Sequence, residues 1–287
     1  MAATSVRPRG MRDPAAAGSG IPVAASTALR RTLTGAPQPA VVVGAPSGAI
    51  YVRTEDGELI AVLAPGAARL PMGAVVGNRD ALRSRPVQYQ AGQVGAGRIE
   101  AGSLSAYVGR WWDPGPVLPP LRPGVLAANL VRVVNPDRGT GLPTGALLDT
   151  LPALGAALHA GDDTAAARAA SALVGLGPGL TPAGDDVLVG LLSALVCLGH
   201  PVAVRFAATL QSAAAGRTTD LSLALLRHAS RGHCIGAVGA LLRALAGAGD
   251  PQVAHRRLLA VGHNSGAALA LGTLLGVGLT VRLAVAG

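Results

Sequence analysis

Apolar residues along this chain change their spacing part-way. Between residues 40 and 108 they come in short runs: Ala40 to Gly44, Ala49 to Thr54, Leu59 to Leu63, Ala74 to Val76, Val87 to Ala91, Arg98 to Ile99 and Leu104 to Val108. Pro-Ser-Gly, Glu-Asp-Gly and Pro-Gly separators mark turns between the first of them, so these runs predict short strands in a small antiparallel sheet or barrel. Ahead of them, Ala24 to Leu33 predicts one short helix closed by Gly35 and Pro37. Beyond residue 145 the spacing becomes helical. Gly145 to Leu158, Asp163 to Leu173, Pro201 to Ala215, Asp220 to Arg231, Ile235 to Ala246, Pro251 to Val261 and Ser265 to Val277 each predict a helix. Gly124 to Val134 is a further candidate, followed by a turn at Asn135-Pro-Asp-Arg-Gly139. The expected fold class is therefore α+β. A flexible tail at 1–20 leads to a small antiparallel β-rich region at 21–123, then to a mainly α-helical domain at 124–287.

The most apolar helix follows the most glycine-rich loop. Gly175, Gly177 and Gly179 permit positive φ, Thr181 is positioned as an N-cap and Pro182 as a first-turn proline. From Val187 to Cys197 nearly every face is apolar, so the helix should cross a core and leave Asp185 and Asp186 at its mouth. One of the two carboxylates can serve the helix dipole; the other calls for an explanation.

Composition narrows the field. Half the residues are hydrophobic, yet there are one Phe, two Trp and three Tyr, so the core must be built from Ala, Val and Leu. In so aromatic-poor a chain, Trp111-Trp112 reads as a plug at the junction of the two regions. Lysine is absent, which excludes Schiff-base and P-loop lysine chemistry. The net charge of +9 raises nucleic acid as a partner, but the arginines are scattered and lack interleaved aromatics, which argues against it. Cys197 and Cys234 read as two buried, reduced thiols of a cytoplasmic protein. Residues 265–281 are apolar enough to raise a membrane span; closed by Arg282 and carrying Gly272-x-x-x-Gly276, they read instead as a tightly packed core helix, with no membrane involved.

Three helix starts carry the candidate chemistry. They are Thr181-Pro-Ala-Gly184-Asp185-Asp186, Arg217-Thr218-Thr219-Asp220 and His263-Asn264-Ser265-Gly266. Each sets glycine, a hydroxyl or amide and ionisable groups at the positive end of an apolar helix, where free N–H groups bind anions. Convergence would give a pocket with Arg217 for a small anionic substrate, and with Asp185, Asp186 and Asp220 for proton transfer or for a magnesium ion as candidate cofactor. His263 stands in the loop opening the last helix. Ordinary capping explains any one of these starts equally well. His228 and His233, five apart, do not have the spacing of a helical zinc pair.

These blocks resemble the AllH-like subunit family of oxamate carbamoyltransferase. The resemblance rests on Gly177-x-Gly179-Leu-Thr181-Pro-x-Gly184-Asp-Asp186, on Thr218-Thr219-Asp220-Leu-Ser222 with Leu226-Arg-His-Ala229, and on Val261-Gly-His-Asn-Ser-Gly266. It spans about residues 125–277. It implies a role in allantoin and purine breakdown, in which oxalurate and phosphate give oxamate and carbamoyl phosphate. It also implies a multi-subunit enzyme whose other subunits are separate chains. Whether this chain holds the chemistry stays open, and a scaffold or regulatory ligand-binding subunit and a stand-alone magnesium-dependent hydrolase are the alternatives.

Overall fold

The computed structural model describes residues 20–83, 86–133 and 146–286. The expected tail, Gly20 apart, and the Asn135 to Gly139 turn lie outside them. Eight strands form a closed barrel: β1 (Ile21–Ser26), β2 (Gln38–Gly44), β3 (Ala49–Thr54), β4 (Leu59–Leu63), β5 (Gly73–Val76), β6 (Ala91–Gly95), β7 (Arg98–Ala101) and β8 (Leu104–Trp112). Around the barrel the order is β1-β5-β4-β3-β2-β6-β7-β8. Hairpins supply half of the strand pairings, and β6 turns into β7 through Ala96 and Gly97, both at positive φ, as a two-residue hairpin loop requires. Closure is not by hairpin. β1 lies parallel to β8, with Ile21 opposite Ala106 and Ser26 opposite Trp112, and β4 lies parallel to β5.

Two strand expectations need correction. Residues 24–26 are the end of β1 rather than the start of a helix, and the helical turns begin only at Thr27, leading to α1 (Arg30–Thr34). Backbone pairing to β5 and β8 overrides the local preference of an Ala-rich segment. Val87 to Gln90 form a turn in which Tyr89 and Gln90 exchange backbone hydrogen bonds with Val42, and the regular ladder of β6 starts at Ala91, opposite Val41. Trp111 and Trp112 end β8; the Trp112 indole donates to the Ala24 carbonyl, and Arg30 stacks on Trp111.

The helical part comprises α2 (Pro123–Val133), α3 (Ala146–Ala160), α4 (Asp163–Leu173), α5 (Ala183–Cys197), α6 (Ala203–Ala214), α7 (Asp220–Ala229), α8 (Gly236–Leu245), α9 (Pro251–Leu259) and α10 (Ser265–Ala286). As its uniformly apolar sequence demands, α5 is central and buried from Gly184 to Leu195. Its closest neighbour is α10, and glycines let the two backbones touch. A Cβ on Gly272 would sit 1.9 Å from the Val187 carbonyl oxygen, and one on Gly190 would sit 2.2 Å from that of Leu269. By length and composition alone α10 could cross a membrane. Here its glycine face is core, and Gly272-x-x-x-Gly276 serves helix packing inside the protein.

The barrel and the helices share an interface. β4 is buried along its whole length, with α7 packed on it. Arg53 of β3 reaches Asp220 at the start of α7, N–O 2.6 Å. Glu58 approaches buried His228 Nε2 at 3.5 Å, and His228 Nδ1 lies 3.4 Å from His233 Nδ1.

Candidate functional site

Glycine makes the loop before α5 possible. Gly175, Gly177 and Gly179 all have positive φ, and a Cβ on Gly175 would meet the Arg217 carbonyl oxygen at 2.6 Å. The loop then turns into α5 at Pro182, which occupies the N-cap position without a side-chain cap. Thr181, expected to cap, turns away to face Ser265, hydroxyl to hydroxyl at 3.0 Å.

The two aspartates at this helix start are both buried, not left at an open mouth. They have different work. Asp185 Oδ1 accepts the Gly175 N–H at 2.8 Å, and Oδ2 accepts the Thr218 hydroxyl in a short hydrogen bond. That carboxylate knots the glycine loop to the segment before α7, and its oxygens are engaged. Asp186 is 2 % exposed, and its Oδ2 has no hydrogen-bond partner. Burial pushes its pKa up to about 7, while the adjacent Ser265 and Thr181 hydroxyls pull in the opposite direction and the Asp185 charge adds a smaller upward push. A carboxyl group so placed is half protonated near neutrality, which suits proton transfer.

Asp186 lines a cleft of about 420 Å³ between barrel and helices. Ser47, Gly48 and Tyr51 come from the barrel; Thr181, Asp186 and Ser265 come from the helices, with Leu221, Leu225, Ile235 and Leu269 as apolar wall. The starts of α5, α7 and α10 thus meet at one cleft. Of their ionisable groups only Asp186 is among the described lining residues. Asp220 is half exposed and held by Arg53, the Arg217 guanidinium donates to the Ser171 carbonyl, and His263 and Asn264 are exposed and outside the lining.

The remaining candidates hold the scaffold. Thr219 caps α7 by accepting the Ser222 N–H and donates to the Leu180 carbonyl. A Cβ on Gly184 would meet the Leu173 carbonyl oxygen at 2.0 Å, and one on Gly266 that of Leu258 at 2.1 Å. Several helix-end N–H groups are also spent internally: Gly184 donates to Leu176 O and Gly266 to Val261 O. Among the described residues no three His, Cys, Asp or Glu side chains gather as a metal site. Magnesium therefore gains no ligand set from Asp185, Asp186 and Asp220.

Sequence reasoning missed the barrel wall of the cleft. Tyr51 is half-buried, and burial raises its pKa. Its signal was available in principle: it is one of three tyrosines and stands on a strand flanked by buried Ile50 and Val52.

Neither the curated proteins nor the solved structures include a match to this chain. The stretch that carries the glycine loop, α5, α7 and the first half of α10, residues 173–277, is similar to the oxamate carbamoyltransferase subunit AllH, whose family model it matches.

Proposed function

We propose that this chain is a subunit of an oxamate carbamoyltransferase-type complex, and that the cleft at Asp186 receives the carbamoyl group that oxalurate passes to phosphate. A phosphate oxygen attacks the carbamoyl carbon, the C–N bond breaks, and the departing oxamate nitrogen takes up one proton. Asp186 in its neutral form supplies that proton, and the proton that the attacking hydrogen phosphate gives up as the C–O bond forms returns the carboxylate to its neutral form. The observation that carries this reading is the buried, unpartnered Asp186 oxygen at the junction of barrel and helices.

Both reactants are anions, whereas no lysine, arginine or histidine is among the described lining residues. The cations that hold them come, on this reading, from another subunit closing the cleft. Such a division of labour fits a family named as a subunit.

The test is purification of the tagged chain with its companions from the native cell, followed by an assay for phosphate-dependent carbamoyl phosphate formation from oxalurate. Asp186→Asn should assemble normally and lose activity by roughly 100-fold or more, the usual scale for a missing general acid. A chain that arrives alone and inactive would sink the transferase reading. A scaffold role is favoured by the engagement of Asp185 and the packing of Gly184 and Gly266; it predicts unchanged turnover per assembled complex for Asp186→Asn.

A further inference from the structure

The two cysteines of the chain, 37 positions apart in sequence, meet in space. Cys197 is the last residue of α5, and Cys234 sits in the connection leading to α8. Their Sγ atoms are 3.4 Å apart, and the Gly232 carbonyl accepts from Cys197 at 3.6 Å. Cys234 is itself anchored, its N–H donating to the Pro114 carbonyl of the segment that leaves the barrel.

We propose that Cys197 and Cys234 are a reversible redox site, closing to an intramolecular disulfide when the protein meets a peroxide. Three observations support it. A disulfide needs the sulfurs at about 2.05 Å, so a movement of little more than 1 Å, within reach of side-chain rotation, completes the bond. Cys197 is only half-buried whereas Cys234 is buried, so a small oxidant can reach the sulfur that attacks first, and a cavity of about 290 Å³ against Cys234 leaves room for the pair to move. The pair is also chemically asymmetric. The sulfur–sulfur hydrogen bond holds the Cys197 thiol below its ordinary pKa, while that same bond and then burial push Cys234 up.

The steps balance. Cys197 thiolate attacks the peroxide oxygen, giving a sulfenic acid and hydroxide, which takes up a proton as water. Cys234 then attacks the sulfenic sulfur, its proton leaving with the hydroxyl as a second water. Two thiols are oxidised by two electrons and one hydrogen peroxide is reduced to two waters. The bond would tie the far end of the Asp186 helix to the connection held by Pro114, across α6 and α7.

The experiment is mild hydrogen peroxide treatment of the folded full-length chain, with thiol titration, intact mass and peptide mapping. Thiols titrated after the treated chain is unfolded should fall from two to none and the mass by about 2 Da, with a linked peptide pair that dithiothreitol separates. The oxidised monomer should melt about 5–10 °C higher than the reduced one. Cys234→Ser should leave a sulfenic acid at Cys197 that dimedone traps, and Cys197→Ser should give no such adduct at Cys234. Independent overoxidation of each sulfur, cross-linking between chains, or thiols that react only in denaturant would each overturn the proposal.

Discussion

Between about pH 4 and pH 7 the Asp186 carboxyl keeps its proton in the folded chain, whereas the unfolded chain gives it up near the ordinary value of 3.8. The folded state binds more protons across that window, so stability falls as pH rises through it, by up to about 4 kcal/mol in all. Asp186→Asn removes the titration without removing the shape. Chemical denaturation should find it close to wild type at pH 4 and more stable at pH 8; equal stability at both values would show that the carboxyl ionises freely. On the reading proposed above, the same substitution should also abolish carbamoyl transfer, the trade expected of a group kept for chemistry. Replacing Asp185 should instead destabilise the chain. Asp185→Ala strands the Gly175 N–H and the Thr218 hydroxyl and should cost about 2–4 kcal/mol in urea unfolding at neutral pH.

At the scale of elements, glycine has opposite meanings in two helices. Gly190→Ala drives a methyl into the Leu269 carbonyl and should cost more than about 3 kcal/mol, or prevent folding, because two backbones must separate. Gly124→Ala, in α2 with nothing within 4 Å of the new methyl, should instead stabilise by about 0.5–1 kcal/mol through helix propensity. Thermal melts of the two variants test that opposition of sign. Periodicity revealed β3 and β4 to the residue, since hairpin strands bounded by glycine turns carry their own signal. β1 was hidden because its partners are remote, and nothing inside Ile21–Ser26 announces them. The site divides along the same line. Thr181, Asp186 and Ser265 stand out beside a glycine loop and a helix start, whereas Tyr51 belongs to the site through the docking of barrel on helices, which no local spacing encodes.

For the whole molecule, the contacts that join barrel to helices differ in weight. Arg53 and Asp220 are about half exposed, so Arg53→Ala should cost less than about 1 kcal/mol. The apolar contact of α7 with β4 and the walls of the cleft carry that interface, and the cleft at Asp186 depends on it. Barrel closure has a consequence in time. β1 is made first, yet both its partners are made later, β5 by Val76 and β8 only by Trp112. On the ribosome the opening strand must therefore wait, unpaired until β5 is made and open on its other edge until β8 follows, while β2 to β4 and β6 to β8 form as local hairpins. Pulse-labelled amides of Ile21–Ser26 should be the last in the barrel to gain protection during refolding. A chain stopped short of residue 104 would present that strand as an open edge, and the nascent protein is most prone to self-association at that stage.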